Sequence, residues 1–72
     1  MRLKVYEVLY TKLDSMSYEG EIYIRAFNRT EVQQYFESFD MFGQYRIKEI
    51  NLKRIMTDEE TRNFLFLKNI DL

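Results

Sequence analysis

A chain of 72 residues bounds the protein to one small domain, 1–72, with a single core. It has neither Cys nor His, which excludes disulfide staples and a zinc ligand set and removes the commonest general base and the best side-chain nucleophile. A net charge of −1 gives no global pull towards nucleic acid or an anionic membrane.

Apolar burial must therefore carry the fold nearly alone, and six Tyr, six Phe and four Met supply the bulk for it. One helix face cannot cover so many large side chains. Either another element covers the rest, or aromatic surface is left for a second molecule. No stretch approaches the roughly 20 apolar residues of a membrane span, and residues 1–13 are followed by no small-residue cleavage pattern. With the lack of Cys, this predicts a cytoplasmic protein. The single Ala beside abundant Ile, Lys, Asn, Tyr and Phe is the usage of an A/T-rich genome, and points to a bacterium or a bacteriophage.

Arg2–Leu13, RLKVYEVLYTKL, is rich in β-branched and aromatic residues and reads as a strand. Leu3, Val5, Leu9 and Leu13 share one parity with Glu7, while Tyr6, Val8 and Tyr10 occupy the other. A bulge near Tyr6 and Glu7 would account for this, but a strand apolar on both faces is preferred. Asp14–Gly20 has the Asp, Ser and Gly chemistry of a long hairpin loop. Glu21–Phe27 then alternates cleanly, with Ile22, Ile24 and Ala26 on the face expected to meet a helix.

That helix is predicted between Asn28 and Gly43. Val32, Tyr35, Phe36 and Phe39 fall at i, i+3, i+4 and i+7, and Glu31, Gln34, Glu37 and Ser38 lie opposite. Asn28 is placed to cap it with Glu31 closing a capping box, a better reading of Asn28-Arg29-Thr30 than a glycosylation acceptor; Thr30 with Gln33 is a competing start. Gly43 supplies a left-handed stop. In Gln44–Met56 the alternation slips by one, so a strand with a bulge at Lys48 and Glu49 is expected, with a helix as the alternative. Thr57 and Glu60 form a second capping-box match. Because Phe64–Lys68 would put apolar residues all round a helical wheel, a short helical turn at Thr57–Arg62 followed by an extended segment is predicted.

The expected fold is thus α+β, in the order β-β-α-β with a fourth helical or extended element: an antiparallel sheet of three to four strands with one amphipathic helix across one face. Asp58, Glu59 and Glu60 sit where acids favour a helix start, and the two glycines stand too far apart for a phosphate loop, so no metal, cofactor or catalytic residue is expected. The sheet face opposite the helix is the candidate site. On this register it presents Lys4, Tyr6, Tyr10, Tyr23, Arg25, Phe27, Arg46 and Lys48. Aromatics interleaved with cations suit protein contact or self-association by a non-enzymatic adaptor or inhibitor. They also suit stacking and phosphate pairing with single-stranded nucleic acid, the second reading. A third is that the C-terminal segment folds over this face as core.

Overall fold

A computed structural model describes residues 1–70. The chain is α+β: β1 (Lys4–Lys12), β2 (Ser15–Ala26), α1 (Arg29–Phe39), β3 (Tyr45–Ile55) and α2 (Asp58–Ile70). The three strands form one antiparallel sheet in the order β2-β1-β3, which places the most apolar strand at the centre. β1 carries large apolar residues on both faces, Tyr6, Val8 and Tyr10 on one and Val5 and Leu9 on the other, with Glu7 between the last two.

α1 packs on the face made by Tyr6, Val8, Ile24 and Ala26, into which it buries Val32 and Phe36. Ala26 is fully buried; its small side chain lets the helix approach β2 closely. Asn28 has extended backbone and its Oδ1 accepts from the Glu31 amide at 2.9 Å, while Glu31 Oε1 accepts from the Phe27 amide at 2.9 Å. Asn28 is the cap as expected, but Glu31 closes on the amide one residue before it rather than on that of Asn28. The helix ends at Phe39, before Gly43: Asp40 is the cap, and its carboxylate accepts from the amides of Gln44 and Tyr45 at 2.8 and 3.1 Å. Gly43 takes a positive φ of 62° within the turn that follows.

The ladder between β1 and β3 shifts register twice. Leu9 pairs with Glu49 and Tyr10 with Ile47, leaving Lys48 as the inserted residue, in agreement with the bulge expected there. A second insertion, Lys53, lies between the Val5–Arg54 and Tyr6–Leu52 pairs, beyond the bulge expected from the sequence, and the apolar parity passes from Leu52 to Ile55 across it.

Two expectations are corrected. Asp14–Gly20 is not a long loop: the turn is confined to Leu13 and Asp14, and β2 starts at Ser15, with a register shift between the Thr11–Glu19 and Lys12–Ser15 pairs. Phe64–Lys68 is not extended but continues α2. The Thr57–Glu60 capping box forms reciprocally at 3.0 Å in both directions and nucleates the helix, and Leu65, Phe66 and Leu67 remain exposed along it. The all-round apolar wheel thus marks uncovered surface rather than a strand.

α2 is tied to the start of β1. The buried Thr61 Oγ1 accepts from the Leu3 amide at 3.0 Å, the Met56 amide donates to the Leu3 carbonyl at 2.8 Å, and Arg2 Nε donates to the Met56 carbonyl at 2.7 Å. No helix among the described residues is long and apolar enough to cross a membrane.

Candidate functional site

The register divides the expected site between two faces. Lys4 pairs with Ala26, Tyr6 with Ile24 and Tyr10 with Gly20, so the even residues of β1 lie on the helix side. Tyr6 is 4% exposed and belongs to the core, with the Arg29 guanidinium 5.8 Å above its ring. Tyr10 is half-buried, its ring centroid 5.7 Å from that of Phe36 and 5.4 Å from that of Tyr45. Lys4 Nζ donates to the Phe27 carbonyl at 3.2 Å, and Phe27 is half-buried just beyond β2. The grouping of Lys4, Tyr6 and Tyr10 with Tyr23 and Arg25 on one face is therefore corrected. A strand apolar on both faces has no parity that marks its inner side.

The other four residues share the face opposite α1. Tyr23 pairs with Glu7 and Arg25 with Val5, and Arg46 pairs with Thr11. Lys48 reaches across β1 to an ion pair with Glu19 at 2.7 Å. This hydrogen bond and charge hold the Glu19 carboxyl below, and the Lys48 ammonium above, their ordinary values. At the centre Glu7 is only 13% exposed; its carboxylate accepts from Tyr23 Oη at 3.5 Å and from Asn51 Nδ2 at 3.3 Å, with Lys53 Nζ at 3.5 Å. At one end Arg54 grips Glu60 through two bonds of 2.9 and 3.0 Å. That contact, with the Thr57 amide, pulls the Glu60 carboxyl down to about 2. This face is a mixed-charge layer in which carboxylates engage Lys48, Lys53 and Arg54. Arg25 lies 5.3 Å over the ring of Phe64, so α2 covers part of the Arg25 end.

Apolar surface gathers instead along the outer edge of β2. A cleft of about 450 Å³ runs from that edge across the helix-side face of the sheet at the C-terminal half of α1, lined by Ile22, Tyr23 and Ile24 of β2, Tyr10 of β1, Tyr45 of β3, and Phe36, Phe39 and Asp40. A smaller hollow of about 210 Å³ continues along the same edge past Arg25, Tyr35 and Phe64. Tyr23, Ile24 and Phe39 border both. Phe39 was expected at the centre of the buried helix face, yet it is 73% exposed and stands between the two hollows. One helical turn beyond Phe36, it lies past the part of the sheet that α1 covers. Met41 and Phe42 extend the exposed apolar surface into the next turn.

The chain matches no family model, no curated protein and no solved structure. Among the described residues no group of three or more carboxylates is placed to hold a metal ion. What the site offers is aromatic pocket surface beside a strand edge. Ile22 and Ile24 lie on the helix side as expected, but sequence reasoning missed Phe39 as surface, because apolar periodicity marks a helix face without saying how far the opposing element extends.

Proposed function

We propose that the protein is a non-enzymatic protein-binding module, an adaptor or inhibitor, that docks a partner along the outer edge of β2 and in the aromatic cleft beside it. The observation that carries this reading is the position of Phe39, largely exposed between two apolar hollows that follow one strand edge. A bound strand gains main-chain hydrogen bonds from such an edge, and its alternate side chains enter the pockets that give specificity. Exposed Tyr23 and Met41 add residue types enriched at protein interfaces. The absence of His and Cys supports a role in binding rather than catalysis.

Single-stranded nucleic acid is the weaker reading. Its phosphates would compete with carboxylates already bonded to Lys48, Lys53 and Arg54.

Immobilised chain tests the proposal. A discrete protein, a second copy included, should be retained by the wild type and by Arg46→Ala but lost on Phe39→Ser, with the thermal midpoint of Phe39→Ser unchanged. Retention indifferent to Phe39, or recovery of oligonucleotides in preference to protein, would overturn it.

A further inference from the structure

We infer that the partner of the β2 edge is a second copy of this chain, whose own β2 adds antiparallel to make a continuous six-stranded sheet. The inference rests on the protein-binding reading above and names its partner. The two outer strands of the sheet are not equivalent. β3 carries an inserted lysine at each of two bulges, Lys48 and Lys53. Bulges and edge lysines are the devices by which an outer strand is kept from pairing further. β2 has none of them from Glu19 to Ala26, where it pairs with β1 without interruption.

That stretch is complementary to itself. In an antiparallel pair about a twofold axis at Tyr23, Glu21 stands opposite the partner's Arg25, and Arg25 opposite the partner's Glu21. On the helix side Ile22 stands opposite the partner's Ile24, which is itself buried under α1. Both sets respect the faces already assigned, since Glu21, Tyr23 and Arg25 pair with Leu9, Glu7 and Val5 on one side of the sheet. Opposite charges directly across a ladder are favourable and like charges unfavourable. Neighbouring registers match less well. Moving the axis to Ile24 sets Glu21 opposite the partner's Phe27; moving it to Ile22 sets Arg25 opposite the partner's Glu19, a carboxylate already bound to Lys48, and Ile24 against the partner's Gly20. The exposed Phe39 lines the hollow beside residues 23–25 of its own β2, an apolar flank to the edge at which the new ladder would form.

The chain has no cysteine, so single introduced thiols report the register directly. Residues opposite each other in an antiparallel pair have Cα atoms about 4.5–5.5 Å apart, within disulfide reach. Oxidised Tyr23→Cys should therefore run as a covalent dimer. Oxidised Glu19→Cys should not, because the two positions would lie about 27 Å apart along the ladder. In sedimentation across micromolar to millimolar chain, the wild type should dimerise, and Glu21→Lys should weaken the dimer about tenfold by creating two like-charged contacts. Glu21→Lys combined with Arg25→Glu should restore it. A strict monomer, equal cross-linking of the two cysteine variants, or a dimer unmoved by Glu21→Lys would overturn the inference. A monomer that still retains a different protein through Phe39 would overturn the dimer alone and leave the binding-module reading standing.

Discussion

The ring of Tyr10 lies across Gly20, its partner in the β1–β2 ladder, so closely that a Cβ at position 20 would sit 2.5 Å from Tyr10 Cζ and Oη. The glycine is what lets this ring lie flat and meet Phe36 and Tyr45 at the mouth of the cleft. An alanine in a strand usually stabilises by restricting the unfolded chain. Here Gly20→Ala should instead cost about 1–3 kcal/mol through overpacking, read as a lower denaturant midpoint. A raised midpoint would show that the ring moves aside freely.

Phe36 and Phe39 separate core from surface on the same helix. Phe36 is buried, so Phe36→Ala should cost about 3–5 kcal/mol. Phe39→Ala, at a position 73% exposed, should stay within about 0.5 kcal/mol of the wild type. Urea titrations that give the two variants the same midpoint would mean that α1 is rotated about its axis.

Thr61 offers a test of how α2 is held. Its Oγ1 is the acceptor for the buried Leu3 amide, and Thr61→Val keeps the shape while removing that acceptor. An unpaired buried amide costs about 1–3 kcal/mol, so this near-isosteric change should be clearly destabilising. Faster hydrogen exchange confined to the Leu3 amide and to α2 would locate the loss. Unchanged exchange there would assign the anchoring of α2 to other contacts.

The cap of α1 gives a paired comparison. Asn28→Ala removes the acceptor for the Glu31 amide and should cost about 0.5–2 kcal/mol. Thr30 lies within the helix and is exposed, so Thr30→Ala should have little effect. The reverse order would place the helix start two residues later.

Acid should release α2 from β3. The Glu60 carboxyl is depressed from 4.5 to about 2, first by its hydrogen bonds from Arg54 and then by the Thr57 amide. A lowered folded-state pKa means that the stabilising contribution is complete above about 4.5 and is lost as the pH falls through about 2. The group is open to solvent, so the effect should be modest and weakened by salt. Glu60→Gln should flatten this part of the pH–stability profile; parallel profiles for the two proteins would show that the Arg54–Glu60 pair does not form in solution.

Much of this architecture is legible in the residues, and the failures have a common cause. Ile22, Ile24 and Ala26 alternate against polar neighbours, so their inward face is fixed by pattern, and Asn28 with Glu31 sets the start of α1 by local hydrogen bonding. Lys48 is visible as a bulge because the apolar parity changes around it. Lys53 is marked more faintly, because the change of parity from Ile50 and Leu52 to Ile55 rests on one apolar residue at the end of the strand. The inner face of β1 was hidden for the related reason that Tyr6, Val8 and Tyr10 are matched by Leu3, Val5 and Leu9 on the other side. Local pattern could not reveal where α1 stops covering the sheet, and that boundary is what exposes Phe39 and makes the cleft.

The two lysine insertions in β3 have one more consequence. A three-stranded sheet with two smooth outer strands could polymerise, each added copy offering a fresh template to the next. With one outer strand interrupted at Lys48 and Lys53, growth through the proposed β2 pairing would terminate after a single addition, because the newcomer would present only its own interrupted side. Fibrillation is thereby disfavoured in a chain whose aromatic content would otherwise invite it. Exchanging one lysine side chain would leave both bulges in place, so smoothing that edge requires removing both insertions.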